Sequence, residues 1–287
     1  MADISLNPTA SSTMWNKLSS RRQVGGTWQI LAFPLIFLIT LPILAIFLRL
    51  SFAEILSSLQ QKQALEAIRL SASTSLVTVA ITLLFGTPVA YLLYRRRSRI
   101  SRILDTIIDL PTVLPPAVAG VALLIAFGRQ GLLGQVFNIF GISIPFTSVA
   151  VVMAQTFIAA PLYIKSATLG FSGVNCELKK AAALDGANRW QVFRYIMLPM
   201  SWTSILSGCI LTWARALGEF GATIIFAGNL AGRTQTMPLA IYIGFEVDLK
   251  VALTLSAILV LFSFFVLIAL KLFLHSRFDE NLNDDYD

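Results

Sequence analysis

Apolar residues fall in six long runs separated by short polar blocks, and the lengths of the runs set the elements they predict. A helix that crosses a bilayer needs about 20 mainly apolar residues. Segments on that scale extend over Trp28–Leu48, Ser71–Tyr94, Ile107–Phe127, Phe146–Ser166, Trp202–Phe226 and Val251–Leu274. The pattern predicts an all-α integral membrane protein with six transmembrane helices. The third run is irregular, with Pro111, Pro115, Pro116 and Gly120. Prolines remove backbone donors, and lipid does not tolerate the unpaired groups that result. This half-span is therefore expected to face protein or a water-filled cavity.

A long polar interruption, ELKKAAALDGANRWQVFRYIMLPM, occupies Glu177–Met200. Leu178, Ala181, Ala182 and Asp185 recur at helical spacing, Gly186 breaks the pattern, and Asn188 can cap a second helix through Trp190, Val192, Phe193 and Ile196. Periodicity alone leaves two alternatives open. The loop is either a docking element, whose small side chains let another protein approach closely, or an amphipathic connector anchored on the inner leaflet by Trp190 and Phe193.

Composition changes the picture by fixing the solvent. The chain is 56% hydrophobic and 13% charged, with mean hydropathy +0.75, where a soluble domain carries about 25% charged residues. The net charge of +7 does not point to nucleic acid, because the basic residues sit in short blocks flanking apolar runs. With the N-terminus inside, 15 of the 22 Lys and Arg fall on cytoplasmic segments, the densest block being Arg95, Arg96, Arg97, Arg99 and Arg102. Only 6 fall on outer loops, and Arg215 is inside a span. The bias predicts cytoplasmic N- and C-termini and a cytoplasmic Glu177–Met200 loop.

The expected organisation is a cytoplasmic tail over 1–27, a first transmembrane helix and outer loop over 28–64, a transmembrane domain over 65–275 containing the loop 172–200, and an acidic, solvated tail over 276–287. Lys17, Arg21 and Arg22 precede the first run, which is too long for the apolar core of an export signal. Cys176, Cys209 and the lone His275 form neither a disulfide framework nor a metal-ligand spacing, so no metal site is expected. No nucleophile–base constellation points to an enzyme.

Arg215 and Glu219 are the chemically conspicuous pair. Each costs on the order of 2.5–3.5 kcal/mol at the centre of a membrane helix, so both should face the bundle interior and be paired. On one continuous helix they share a face, beside a row of small residues at Ala214, Gly218 and Ala222. Such a pair either locks the bundle or lines and gates a translocation path. In a stand-alone ion-coupled transporter it would act as a relay. Arg129 and Arg233, in outer loops beside glycines, are candidates for an outer mouth: they either meet an anion together with exposed backbone amides, contact a partner protein, or are simply solvated.

The loop carries two alanines, three residues, a glycine, nine residues and then Ile-x-Leu-Pro, at Ala181, Ala182, Gly186, Ile196, Leu198 and Pro199. This register resembles the EAA signature in the membrane subunits of ABC importers. The resemblance implies a type I importer fold and a coupling loop that docks on cytoplasmic ATPase subunits through Glu177, Lys180, Ala181, Ala182, Asp185, Gly186, Ile196, Leu198 and Pro199. Lys180 stands where the family usually has glutamate. The sequence contains no G-x-x-x-x-G-K-[ST] loop, so ATP and Mg are expected on a separate ATPase and no cofactor on this chain.

Three further stretches, ARALGEFGATIIFAGNLAGRTQTMPLAIY from Ala214, LPTVLPPAVAG from Leu110 and FGRQGLLG from Phe127, are similar to molybdate permeases and less closely to sulfate permeases. The likeness covers about Leu65 to Phe273. It implies alternating-access import of a tetrahedral oxyanion across the inner membrane. Molybdate is the first expectation; sulfate or thiosulfate, tungstate and vanadate are the alternatives. It also implies an external or periplasmic oxyanion-binding protein and a second permease copy, as a homodimer.

Overall fold

The computed structural model describes residues 24–95 and 99–283, and no strand appears among them. Lys17, Arg21, Arg22, Arg96, Arg97, Asp284, Asp285 and Asp287 lie outside the described residues, as do the side chains of His275, Arg277, Asp279 and Glu280.

Residues 1–50 and 51–287 form two compact units. The first contains α1 (Val24–Leu48), which coincides with the first apolar run and includes Pro34 and Pro42. None of its described side chains is buried, and Leu31–Leu48 is long and apolar enough to cross a membrane.

The second unit begins with α2 (Phe52–Leu59), closed by a capping box between Ser51 and Glu54. It continues with α3 (Lys62–Arg95), α4 (Arg99–Val113), α5 (Pro116–Phe127), α6 (Gly134–Ile139), α7 (Ser148–Gly173) and α8 (Cys176–Leu184). After α9 (Arg189–Val192) come a π-helical turn (Phe193–Met197) and α10 (Leu198–Met200). The chain ends with α11 (Trp202–Leu217), α12 (Gly221–Phe226), α13 (Met237–Val247) and α14 (Leu249–Asn283).

The core of this unit is the packing of α3 on α7 and of α7 on α11. The buried face of α3 is a stripe of small and hydroxyl residues at three- and four-residue spacing, including Ser71, Ser75, Thr78, Thr82, Gly86 and Ala90. Small residues let helices approach without help from a hydrophobic effect, which lipid does not supply. A Cβ on Gly86 would stand 2.9 Å from the Tyr163 ring. Hydrogen bonds cross the same seam from Thr78 to Gln155 Oε1 (3.0 Å) and from Trp213 Nε1 to Ser75 Oγ (3.0 Å).

Among the described residues, four helices are long and apolar enough to span, and two bent pairs pass the same test together, giving up to six spans if each pair counts once. The third run is broken at its prolines, in line with its irregular pattern: α4 and α5 meet at 117° where Pro115 and Pro116 interrupt the helix. The fifth run corrects an expectation, since it is not one continuous helix. α11 stops at Gly218, and its 16 residues reach about 24 Å, short of a hydrocarbon core of about 30 Å. Residues 189–200 precede α11 at a bend of 69°. At the C-terminal end α14 continues as helix to Asn283. Residues 249–283 contain neither glycine nor proline, so nothing in the chain ends that helix earlier.

Candidate functional site

The loop between α7 and α11 is built by short-range caps. Asn175 Oδ1 accepts from the Glu177 amide (2.8 Å), which places the Glu177 carboxylate in the first turn of α8. Gly186 adopts φ +85°, and the amides of Gly186 and Ala187 donate to Ala183 O (3.2 Å) and Ala182 O (2.9 Å). This is a Schellman closure. A Cβ at Gly186 would meet nothing within 4 Å, so the residue is needed for its backbone freedom and not for room. Asn188 and Gln191 then exchange bonds of 2.9 and 2.7 Å in a capping box that starts α9.

The predicted docking residues divide into two sets. Glu177, Lys180, Ala181, Asp185 and Gly186 are exposed and Ala182 is half-buried, while α8 as a whole has no buried residue. In the second half, Ile196 and Leu198 are half-buried against the bundle, beside the buried Met197, and Pro199 is exposed.

What holds the loop to the bundle is an aromatic cluster that the sequence reading missed. Phe193 lies 4.9 Å from Tyr91 of α3 and 5.8 Å from Phe171 of α7, centroid to centroid and edge to face. Lys179 Nζ donates to Tyr94 Oη (2.7 Å) and to Val174 O (2.8 Å). Tyr91 and Tyr94 precede a basic block and on sequence look like interfacial anchors. Only the fold brings Phe171 and Phe193 to them.

Arg215 and Glu219 do pair, Nη1 to Oε2 at 2.8 Å, but not along a helix face. Arg215 is in the last turn of α11, and Glu219 lies in the break before α12. Glu219 is 1% exposed, and its Oε1 accepts from the Ala222 amide (2.9 Å), satisfying a free donor at the start of α12. The row Ala214, Gly218, Ala222 is split by the same break. α12 packs on α5 so closely that a Cβ on Gly221 would lie 2.5 Å from Pro116 Cβ, and one on Gly120 would lie 2.7 Å from Ile225 Cβ. The two helix breaks therefore face each other. Ala119 and Leu123 of α5 join Ala222 and Phe226 of α12 in one buried cluster, so this face of the proline-broken half-span rests on protein.

Arg129 and Arg233 are both exposed. Arg129 Nε donates to Ser143 Oγ (3.1 Å) and lines a concavity of about 410 Å³ with Gln130 and Leu132. The glycine amides expected to be open beside it are used internally: Gly128, Gly131 and Gly134 donate to Leu124, Gly128 and Gly131. Arg233 contributes its carbonyl to Ser148 Oγ (2.9 Å). Lys165, inside α7, bridges Asp105 (2.7 Å) and Asp109 (2.8 Å) and ties α7 to α4. All three side chains are about 40% exposed, so screening leaves this cluster a modest contribution.

Residues 82–280 match the family model described as a binding-protein-dependent transport system inner membrane component. The chain is 41% identical over 221 residues to a probable transport system permease protein, NifC, of Clostridium pasteurianum, covering 77% of each. It is 39% identical over 222 residues to the molybdenum transport system permease protein ModB of Mycobacterium bovis, covering 77% of this chain and 84% of that one. Its fold is similar, with a TM-score of 0.62 at 16% identity, to a chain in the crystal structure of a bacterial ABC transporter involved in the import of the acidic polysaccharide alginate, covering 92% of this chain and 98% of that one. With the matched region taking in α5, both helix breaks and the whole 176–200 loop, the chain belongs to the inner-membrane components of binding-protein-dependent transport systems.

Proposed function

We propose that this multi-pass inner-membrane protein is the permease subunit of an ATP-driven molybdate importer, with residues 65–275 as its transport domain. The substrate reading rests on the relatives named for molybdenum transport. The observation that carries the coupling role is the 176–200 loop: its first signature residues, Ala181, Ala182 and Gly186, sit on a locally capped helix and its closing turn, in a loop that Phe193 fastens to α3 and α7.

In this reading the loop and both termini face the cytoplasm, and α8 and α9 dock on a separate ATPase that binds ATP and Mg. Two permease copies enclose the path, and an external oxyanion-binding protein delivers the anion near Arg129 and Arg233. Closure of the ATPases pushes the loop. Phe193, seated between Tyr91 and Phe171, passes the push to α3 and α7. The break at 218–220 lets α11 and α12 turn separately while the Arg215–Glu219 bridge keeps them joined. Transport is then a shift of population between inward-open and outward-open states. A stand-alone ion-coupled relay is disfavoured because both Glu219 oxygens are already engaged.

The test is uptake of radiolabelled molybdate into proteoliposomes containing this chain and its ATPase partner. Uptake is expected to need both ATP and the binding protein. Accumulation driven by an ion gradient through this chain alone would sink the proposal, and equal competition by sulfate would widen the substrate to tetrahedral oxyanions generally.

A further inference from the structure

Two concavities meet behind the 176–200 loop. The larger, about 880 Å³, is almost wholly apolar, walled by residues such as Leu83, Leu84, Phe193 and Ile205. The smaller, about 250 Å³, gathers Arg95, Lys179 and Arg189. Tyr91, Arg95 and Arg189 line both, so one trough runs from an apolar end to a cationic end. No carboxylate lines either part. Among the described residues, neither the Arg95 nor the Arg189 guanidinium has an ion-pair or hydrogen-bond partner. Lys179 engages two of its three donors, on Tyr94 and Val174. Three like charges around one small cavity repel unless an anion joins them. Trp190 and Trp202, both more than half exposed, line the apolar part, and tryptophans of this kind sit at headgroup depth.

We propose that the trough binds one anionic phospholipid, with an acyl chain along the α3–α11 groove and the phosphate among Arg95, Lys179 and Arg189. The inference rests on the reading that this loop faces the cytoplasm, where the leaflet carries anionic lipid. A free anion would account for the cations but not for the apolar groove. A helix from a second copy would account for the groove but leave the cations unpaired. The phosphate would tie the end of α3 to α8 through Lys179 and to α9 through Arg189, bracing the loop that the ATPase moves.

The assembled transporter, exchanged into equimolar phosphatidylglycerol and phosphatidylcholine, is examined by native mass spectrometry. Retention of phosphatidylglycerol is expected. The double variant Arg95→Gln/Arg189→Gln should lower its preference over phosphatidylcholine by about tenfold or more, since each cation near a membrane surface contributes a factor of about five. Arg95→Lys/Arg189→Lys should preserve it, which separates loss of charge from misfolding. Equal retention of both lipids, or an unchanged preference in the Gln variant, overturns the proposal. Displacement of the lipid by millimolar inorganic phosphate overturns it in favour of a free-anion site, and a cross-link from Leu84→Cys to a second copy overturns it in favour of a subunit contact. Labelling of the exposed native Cys176 by an impermeant thiol reagent in vesicles of either orientation reports the side of the loop independently. If the loop labels from outside while the lipid preference persists, the topology reading fails and the lipid site stands.

Discussion

The 176–200 loop and the 218–220 break both interrupt helix, and they do so by opposite means. The bonds that cap the loop's helices close within five residues: Asn175 to Glu177, Gly186 to Ala183, Ala187 to Ala182, Asn188 to Gln191. The break depends on partners far away in sequence, with Gly221 against Pro116 and Ala222 against Gly120, while Glu219 is buried between Arg215 and α12. An exposed interruption can lean on water and its own caps. A buried one must satisfy its polar groups with protein, because a stranded donor or charge in that setting has no alternative partner. The loop's local shape is therefore carried largely by its own caps, and that of the break by packing and pairing with neighbouring elements.

The contrast is sharpest in the charge pair. Arg215→Ala leaves the Glu219 carboxylate, 1% exposed, without its counter-ion. Removing one member of a buried pair costs about 3–5 kcal/mol, and the low end applies because Arg215 is itself 37% exposed. Glu219→Gln removes the charge yet keeps an acceptor for the Ala222 amide, so a loss of about 1–2 kcal/mol is expected. Thermal inactivation of the solubilised protein should rank wild type, then Glu219→Gln, then Arg215→Ala, with uptake impaired in the last. Wild-type stability and kinetics in Arg215→Ala would mean the pair neither locks nor gates.

The same contrast explains what could be read in advance. The turn between the loop's two helices was legible because capping is local: Gly186 and Asn188 each announce a structure completed a few residues away. The run Trp202–Phe226 looked like one span because composition reports apolarity and not continuity. Just past the break at Gly218, Gly221 and Ala222 pack closely on α5, a contact that no window on the chain contains. Likewise Phe193 and Phe171 carried no joint signal, being 22 positions apart and on different helices. The bridges from Lys165 to Asp105 and Asp109 gave no signal either, since the partners lie about 60 positions away on another element.

A smaller effect is expected from the loop itself, and it should be conformational. Gly186 sits at φ +85° with open space around it, so Gly186→Val meets no clash and introduces only backbone strain, about 1–3 kcal/mol. Gly186→Asn should be tolerated, since asparagine visits the left-handed region readily. In the assembled transporter the Val variant should lose coupling, with ATPase activity no longer stimulated by loaded binding protein, while the Asn variant retains it. Full coupling in Gly186→Val would show that the reversal between α8 and α9 is dispensable and would remove the main difference drawn between the two interruptions.

The smallest effect belongs at the other end of α3, where acids hold α2 and the α13–α14 corner. Glu54 Oε1 pairs with Lys250 Nζ at 3.0 Å, and that hydrogen bond, followed by the one from the Ser51 amide, holds the Glu54 carboxyl below its usual range. Asp248 is lowered too, first by the Gln61 amide. A carboxyl with a depressed folded-state pKa adds stability above its unfolded value, about 4 for both residue types, and loses it as pH falls through the folded value. Acidification from neutral to below about pH 4 should therefore loosen residues 52–59 while leaving α8 and α9 unchanged, because the caps of the loop are made by amides and not by titrating groups. Hydrogen exchange, corrected for the intrinsic pH dependence of the rate, reads this directly. Glu54→Gln should flatten most of the response at α2. A matching acid response at residues 176–200 would mean that the loop also depends on a carboxylate, and the separation between a locally capped loop and a charge-fastened bundle would fail there.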